Sequence, residues 1–394
     1  MRCVAALGSG LCAASVAVAW RDRPRPTTEP AAHHAFLRRV AACDESVLLQ
    51  LARSILVFPA YVGMRTWMLA FNRIELHDAE KMHDAVLRRK AGRGLVTVCN
   101  HCSVLDDPGL LCAGILPLRA FVAPSLMRWG LCAERVCFER GSLAQTFFGA
   151  CRGLPISRFG GINQATMRTC AELVRQGEHL HIFPEGRIYQ DPYVPRDEQG
   201  CWTTSSGRSG APFAKLGPLR RGVGKVVMDA TVTRRREGSS NISAEARRAL
   251  TPLIVPFFHL GMEGMAPVGE DRQSRTLRWG AHVVAKVGDP IDVNDLIDEF
   301  EERRSALLAR ASAASPRNSS GSCAAEEARL ENGLHTAITE RIESALLALE
   351  RDVRQLARRD GIAVSEPAAS TTDACRAAAR ESNRRLGSTP DERP

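Results

Sequence analysis

The stretch LVTVCNHCSVLDDPGLL, residues 95–111, decides the fold of this chain. Its first five residues, 95–99, form a short apolar run typical of a buried strand. Asp107 and Pro108 favour the start of a helix, since proline is tolerated in the first helical turn. The segment therefore predicts a strand, a loop and a helix in that order, with cysteine, histidine and aspartate side chains in the loop.

Apolar runs further along the chain extend the same pattern. Strands are predicted at 179–183, 252–258 and 282–288, with helical patterns between them, and a helix is predicted over 78–92. Strands that alternate with helices are typical of the α/β class, which we predict for this chain.

The composition limits the function classes. With 394 residues, 44% of them hydrophobic, the chain can bury a sizeable core. Its net charge of +9 favours an anionic partner, either nucleic acid or a phospholipid surface. Aromatic residues are only 5% of the chain, and no basic run is interleaved with them as in a single-strand binding groove. We therefore expect a membrane surface as partner and no nucleic acid.

The first residues carry a targeting pattern. The apolar run 3–19 is shorter than the roughly 20 residues that a spanning helix needs, and it leads into an arginine-rich segment. We predict that 1–43 is a targeting segment, disordered or cleaved. Ala17 and Ala19 fit a secretory cleavage site, whereas the arginine bias fits a mitochondrial presequence, which we favour.

A second apolar stretch, 47–71, is interrupted by Arg53, Pro59 and Arg65. An arginine near the centre of a bilayer costs about 2.5–3.5 kcal/mol, whereas at the interface its side chain reaches water. We predict that 44–75 forms an interfacial membrane-associating helix. The alternative is a buried helix that packs on the domain.

The rest of the chain divides by composition. The main domain is predicted over 76–310, with surface insertions at 190–214 and 232–248, which lack hydrophobic periodicity. A helix with one apolar stripe follows at 326–358. The polar, arginine-rich segment 360–394 is predicted to be a disordered tail.

Redox and metal chemistry are both disfavoured for the cysteines of the opening stretch. A reactive C-x-x-C thiol needs a helix N-terminus beside it, and Pro108 places the helix start several residues after Cys102. A zinc site needs a second, well-spaced pair of ligands, and the four-residue gap between Cys132 and Cys137 is a poor one.

His101 and Asp106 remain, five positions apart on one loop. A carboxylate that accepts the imidazole Nδ1–H fixes the tautomer, leaves Nε2 free to take a proton, and stabilises the imidazolium. The pair therefore predicts a general base. An isolated pair at this spacing is also compatible with an ordinary surface histidine.

Three other histidines and one glycine-rich stretch carry weaker signals. His179 and His181 alternate on a predicted strand and His259 ends another, which favours core or rim positions. The stretch GPLRRGVGK at 217–225 lacks the spacing of a phosphate-binding P-loop.

Combined with FPEGR at 183–187, the sequence NHCSVLDDP resembles the glycerolipid acyltransferase superfamily, whose first block is N-H-x-x-x-x-D and whose third begins F-P-E-G. Within it, the chain is most similar to phospholipid–lysophospholipid transacylases, over about residues 55–295. Further stretches agree in order, namely LMRW at 126–129, LPISR at 154–158, GEHLHIFPEGRI at 177–188 and IVPFFHLGM at 254–262.

The chain departs from the transacylase pattern at two places. The insertion 190–214 stands where the pattern is short, and Arg187 stands where lysine is usual. Arginine keeps the positive charge and adds paired N–H donors for phosphate. We therefore expect the substitution to affect the preference for lipid head groups.

The resemblance implies a central mixed sheet flanked by helices and a catalytic role for His101 and Asp106. His101 would deprotonate the free hydroxyl of a lysophospholipid, and Asp106 would orient His101. The activated oxygen would then attack an ester carbonyl of a donor phospholipid. No metal and no cofactor are required.

The resemblance also implies a set of substrate-binding residues. Arg187 would hold the glycerophosphate, with Gly186 permitting close backbone approach, and Arg158 would add positive charge. Glu185 would fix a substrate hydroxyl or Arg187. Alternatively, Glu185 and Arg187 pair with each other at a surface turn.

The expected function is therefore CoA-independent acyl transfer between phospholipids and lysophospholipids, as in cardiolipin remodelling. The expected location is a mitochondrial membrane surface facing the intermembrane space, and the alternative is a secretory-pathway membrane. One rival function is an acyl-CoA-dependent lysophospholipid or glycerol-3-phosphate acyltransferase. Another is an inactive membrane scaffold that uses the helix over 330–358 to hold a partner.

Overall fold

The structure, a computed structural model, describes residues 47–138, 147–158, 160–190, 196–197, 200–202, 209–211, 214–237, 243–267, 277–313 and 320–359. The predicted targeting segment 1–43 and the predicted tail 360–394 lie outside these residues. Much of the predicted insertion 190–214 also lies outside them.

The described strands form one mixed, seven-stranded sheet in the order β1-β7-β6-β2-β5-β3-β4. Neighbouring strands are parallel, except that β6 and β7 are antiparallel. The predicted α/β class and the mixed sheet are confirmed. The strands are β1 Arg73–His77, β2 Leu95–Val98, β3 Trp129–Ala133, β4 Gly153–Ile156, β5 His179–Ile182, β6 Leu253–Leu260 and β7 His282–Val287.

Helices flank the sheet on both faces. They are α1 Val47–Phe71, α2 Ala79–Leu87, α3 Asp106–Ile115, α4 Arg119–Val122, α5 Glu134–Cys137, α6 Ala165–Arg175, α7 Gly222–Glu237, α8 Ala244–Ala249, α9 Asn294–Ala313 and α10 Ser320–Arg359. The backbone of α3 is irregular at Asp107 and Gly114.

Each face of the sheet carries its own hydrophobic core. On one face α6, α7, α9 and α10 pack with β2 and β5, through side chains such as Val226 and Ile338. On the other face α1, α2 and α3 pack through side chains such as Met68, Met82 and Leu110. The central strand β2 is buried throughout, as its short and mainly apolar sequence predicts.

Helix α10 packs closely against α7. The apolar stripe of α10 is buried, and a Cβ on Gly224 of α7 would lie 2.2 Å from the carbonyl oxygen of His335. Only glycine permits this approach of the two backbones. The buried side chains of the stripe include Leu334, Ile338, Ile342 and Leu346.

Helix α7 continues further than its sequence indicates. Residues 232–248 were expected to form a surface insertion without core, and this is wrong for 232–237, which complete α7. Val232 is buried, and the buried guanidinium of Arg235 contacts Asp298 and Asn294. A run of arginines is polar in sequence, but carboxylate and amide partners from α9 allow one of them to be buried.

Helix α1 turns its charges toward the protein. Arg53 Nε donates to the carbonyl of Ala150 at 2.8 Å, and Arg65 Nη1 donates to that of Cys112 at 2.7 Å. Its solvent-facing side instead carries exposed apolar side chains, namely Ile55, Phe58, Val62 and Leu69. No helix in the described part of the chain is both long and apolar enough to cross a membrane.

Candidate active site

The candidate site lies at one edge of the sheet, where three neighbouring parallel strands end. His101 follows β2, Glu185 follows β5, and His259 lies near the end of β6. Because the carboxyl ends of parallel strands meet at the same edge, residues far apart in sequence converge there. The sheet topology thus brings the NHCSVLD and FPEGR motifs together.

His101 and Asp106 form the predicted pair. His101 Nδ1 lies 2.9 Å from Asp106 Oδ2, and that oxygen also accepts the backbone N–H groups of Cys102 and Ser103 at 2.8 and 2.9 Å. Since an ionised carboxylate only accepts, Nδ1 carries the proton and Nε2 is the basic nitrogen. The His101 side chain is 18% exposed and that of Asp106 only 1%, so the imidazole is accessible and the carboxylate is enclosed.

The imidazole of His101 has a fixed orientation. Its ring stacks on Phe183 with 3.9 Å between ring centroids and 17° between planes. The backbone carbonyl of His101 accepts from Tyr189 N–H at 2.8 Å. Stacking and hydrogen bonds together preorganise the base.

Behind the pair, His259 and Asn100 support Asp106. Asn100 Nδ2 donates to the carbonyl of His259 at 3.0 Å, and the N–H of His259 donates to Asn100 Oδ1 at 3.1 Å. His259 Nε2 lies 3.8 Å from Asp106 Oδ1. Burial, the main cause, lowers the pKa of His259, so the ring is neutral. His259 is a core histidine, as its sequence position favours.

Beneath the site, His179 and His181 are also core residues. Both rings hydrogen-bond the hydroxyl of Thr97, at 3.0 and 2.9 Å. Burial lowers the pKa of His181 to about 4. The sequence interpretation of this histidine pair as core is confirmed.

The cysteines of the motif are unsuited to redox or metal chemistry. Burial, assisted by the charge of Asp106, raises the pKa of Cys99 and Cys102 well above the ordinary thiol value. The thiolate is the reactive and metal-binding form, and this environment disfavours it. Ligand atoms of Cys102, Asp106 and His259 lie within 4.8 Å of one another, but Asp106 is already engaged by His101 and by backbone donors. Cys132 and Cys137 are joined in a disulfide.

Glu185 is bound to backbone groups of two loops. Its oxygens accept the N–H groups of His101 and Gly217, and the residue is 1% exposed. Burial raises the pKa of Glu185 well above its ordinary value, and the two N–H donors partly oppose that rise. An ion pair between Glu185 and Arg187 is absent from the described contacts. The geometry therefore gives Glu185 a role in holding the loop of His101.

Three arginines lie around the FPEGR turn. Gly186 has a φ of 68°, and a Cβ there would lie 2.6 Å from Arg220 Cδ, so the Arg220 side chain packs directly on the glycine. Arg220 donates to the carbonyls of Glu185 and Arg158, each at 3.4 Å. The guanidinium of Arg187 lies 5.5 Å from the ring centre of Tyr189.

Arg220 is a site residue that sequence reasoning missed. It lies in the 217–225 stretch, which was considered only as a P-loop. The feature of the sequence that indicated a site residue was the pair of adjacent arginines, 220 and 221, which follows the FPEGR motif after the 190–214 insertion. Arg220 is exposed and contacts backbone carbonyls rather than a carboxylate among the described residues, so its charge remains available to a ligand.

The LMRW stretch has a structural contact with the first motif. Arg128 forms an ion pair with Asp107 and donates to the carbonyl of Cys151 at 3.1 Å. The side chains of Arg128 and Asp107 are both largely buried. This pair ties the start of α3 to the segment before β3, so the second aspartate of the motif serves the loop rather than His101.

Comparison with known proteins agrees with this geometry. Residues 73–256 match the family model described as Acyltransferase. The chain is 27% identical over 237 residues to tafazzin of Drosophila melanogaster, covering 60% of this chain and 50% of that protein. It is 31% identical over 208 residues to taffazin of Dictyostelium discoideum, covering 53% and 58%.

The chain is also similar to a plant protein with a different name. It is 30% identical over 225 residues to N-acylphosphatidylethanolamine synthase of Arabidopsis thaliana, covering 56% of this chain and 64% of that protein. The chain thus spans between half and two thirds of the length of the curated relatives it matches.

Proposed function

We propose, since residues 73–256 match the family model described as Acyltransferase, that this protein transfers an acyl chain from a phospholipid to a lysophospholipid without coenzyme A. The observation that carries the proposal is the His101–Asp106 pair, with 2.9 Å between Nδ1 and Oδ2 at the carboxyl edge of the sheet. Relatives named tafazzin support it, and remodelling of cardiolipin is the expected use.

The chemical step needs only one base and its partner. His101 Nε2 removes the proton from the free hydroxyl of the lysophospholipid, and the oxygen attacks an ester carbonyl of the donor. Asp106 stabilises the imidazolium that forms. The imidazolium then returns the proton to the departing lysophospholipid oxygen. One ester and one alcohol become another ester and alcohol, so the reaction is nearly isoenergetic and reversible.

The arginines supply the site for the head-group phosphate. Arg187 and Arg158 hold the glycerophosphate, and Arg220 adds a third guanidinium beside Gly186. Glu185 serves this site indirectly, through its bonds to the backbone of His101 and Gly217. Guanidinium groups suit phosphate because their paired N–H donors match two oxygens.

Helices α1 and α4 form the membrane-contacting surface of the proposal. Tyr61 of α1 stacks on Phe121 of α4, with ring centroids 4.0 Å apart, so the two helices form one surface. Leu118, which directly precedes α4, and Val122 of α4 are exposed. Val104, exposed in the loop between His101 and Asp106, extends apolar surface to the catalytic loop. An interfacial position would present His101 to lipids that remain in the bilayer.

The cellular location in this proposal is a mitochondrial membrane surface facing the intermembrane space. The alternative is a membrane of the secretory pathway. Exchange of acyl chains between lipids requires donor and acceptor in the same membrane, so the interfacial position of α1 and the lipid substrates belong together.

Acyl transfer between two lipids in the absence of CoA tests the function. Purified protein is incubated with vesicles that contain acyl-labelled phosphatidylcholine and unlabelled monolyso-cardiolipin, and we expect label in cardiolipin. His101→Ala and Asp106→Asn should abolish transfer, by at least about 100-fold, while thermal unfolding and vesicle binding stay unchanged. Cys99→Ser is the matched control in the same loop and should retain activity.

Two outcomes of the same experiment would replace the proposal. Transfer only when acyl-CoA is added would establish the acyl-CoA-dependent alternative. With unlabelled phosphatidylethanolamine also included in the vesicles, label in its amine, with none in cardiolipin, would favour N-acylation, which the similarity to the Arabidopsis protein makes the second candidate. The same general base can deprotonate an attacking amine.

A further inference from the structure

Glu350 of α10 is a buried carboxylate that binds a loop of the catalytic domain. It is 3% exposed and accepts the backbone N–H groups of Lys215 at 2.7 Å and Leu216 at 3.3 Å. Arg354, one helical turn later and also buried, donates to it from Nε at 2.8 Å and Nη2 at 2.6 Å. The arginine balances the charge, so the carboxylate is retained inside the protein.

The next residue of that loop connects to the catalytic base. Gly217 donates its N–H to one oxygen of Glu185, and the other oxygen of Glu185 accepts the N–H of His101. The backbone N–H groups of residues 215–217 therefore bind two buried carboxylates, those of Glu350 and Glu185. Glu185 in turn binds the backbone N–H of His101, the proposed base.

Side-chain packing fixes the same loop in position. A Cβ on Gly217 would lie 2.3 Å from Tyr189 Cδ2, so the glycine backbone lies directly on the tyrosine ring. The N–H of Tyr189 donates to the carbonyl of His101 at 2.8 Å. The N–H of His101 is thus bound by Glu185 and its carbonyl by Tyr189, and both of these residues contact Gly217 of the loop.

We propose that Glu350 is a positioning residue for the acyl-transfer reaction, and that it acts on His101 through loop 215–217 and Glu185. Helix α10 is then part of the catalytic apparatus, although it comes after the segment that matches the acyltransferase family. The inference rests on the proposed role of His101 as the base. It does not depend on whether the acyl donor is a lipid or a thioester.

Glu350→Gln tests this proposal, with Asp352→Asn as its control. Both changes remove one negative charge from α10, but Asp352 is about half exposed and pairs with Lys286 at 2.8 Å. We expect Glu350→Gln to lower kcat between about 10- and 100-fold with KM for the lysophospholipid unchanged, because misplacement of a base by about an ångström has effects of that size. Asp352→Asn should leave both constants within about twofold.

Amide hydrogen exchange gives a readout that does not depend on activity. Peptides that contain His101 or Gly217 should exchange faster in Glu350→Gln and at the wild-type rate in Asp352→Asn. If Glu350→Gln does not fold, Glu350→Asp, which keeps the charge on a shorter side chain, is measured in its place. It should show faster exchange in the same peptides and an intermediate kcat.

The outcomes separate this proposal from the proposed function. An unchanged kcat in Glu350→Gln would overturn the positioning role. A loss of activity that matches the unfolded fraction, with unchanged exchange at His101, would also overturn it, because Glu350 would then be merely structural. If wild-type protein transfers only from acyl-CoA, the lipid-donor assignment fails, and the same comparison of variants is made with that donor.

Discussion

The two long helices α1 and α10 distribute their side chains in opposite ways. Helix α10, with 40 residues, places its apolar stripe against the sheet together with the buried Glu350–Arg354 pair, and leaves other charged side chains such as Arg351 exposed. Helix α1, with 25 residues, turns Arg53 and Arg65 toward the protein and leaves Ile55 75% exposed. Both are packed on the same domain, yet only α10 follows the ordinary pattern of a helix on a soluble protein.

The difference shows which environment each helix is built for. The apolar side chains of α10 are buried by β6, β7, α7 and α9 within the chain. Those on the outer side of α1 remain between 39% and 75% exposed, and contiguous exposed apolar surface marks an interaction site. We infer that the outer side of α1 faces a lipid phase, whereas α10 serves the protein core.

The largest expected effect is on the buried stripe. Ile342→Ala should destabilise the protein by about 2–5 kcal/mol, since it leaves a cavity in the core. Ile55→Ala on α1 should change the free energy of unfolding by less than about 0.5 kcal/mol. Urea denaturation of both variants measures the difference. Equal destabilisation would show that the outer side of α1 is as buried in solution as the stripe of α10.

A second prediction concerns the lipid contact itself. Changing Phe58 and Val62 together to serine should weaken binding to anionic vesicles by roughly tenfold or more, since each buried apolar side chain contributes about 1.5–3 kcal/mol. Leu308→Ser on α9, where the side chain is similarly exposed, is the control and should bind as wild type. Vesicle sedimentation gives the partition coefficients. Equal binding by all three proteins would contradict an interfacial role for α1.

The smallest effect is expected at His335, a polar residue within the buried side of α10. Neither ring nitrogen has a hydrogen-bond partner in the described part of the chain, and burial together with Lys225 and Arg221 lowers its pKa to about 4. Between pH 6.5 and 4 the unfolded chain binds a proton that the folded protein does not, so this residue destabilises the fold as the pH falls.

His335→Leu should remove that contribution. We expect the stability of the variant relative to wild type to rise as the pH falls from 7 to 5.5, by about 1 kcal/mol. Denaturant unfolding at several pH values measures it. Parallel stability curves for the two proteins would show that His335 is not the residue responsible.

Local sequence spacing was sufficient to predict the contact between His101 and Asp106. His101 and Asp106 lie on one short loop between a strand and a helix, so their contact depends mostly on local geometry. The apolar runs of β2, β5, β6 and β7 were likewise sufficient to predict the α/β class. Short spacings and apolar runs can be recognised without knowing how the rest of the chain folds.

The remaining part of the site depends on contacts that produce no recognisable residue pattern in the sequence. Glu350 and Glu185 bind backbone N–H groups, which every residue except proline carries, so no residue pattern identifies their partners. Arg220 reaches the site because its backbone N–H donates to the carbonyl of Pro184 at 2.8 Å and its side chain packs on Gly186. Arg235 is buried because α9 supplies its partners, which a local reading of an arginine run cannot reveal.

The wide separation of the site residues along the chain has a consequence for biosynthesis. Helix α1 and His101 leave the ribosome early, whereas Glu350 is among the last described residues to be made. At roughly 5–20 residues per second, the interval is on the order of tens of seconds. During that time the apolar side of α1 already exists and the base is not yet held in place. Under the proposed function, a nascent chain can therefore meet a chaperone or a membrane before it can act on lipids, and we expect chains cut short before α10 to bind without catalysing.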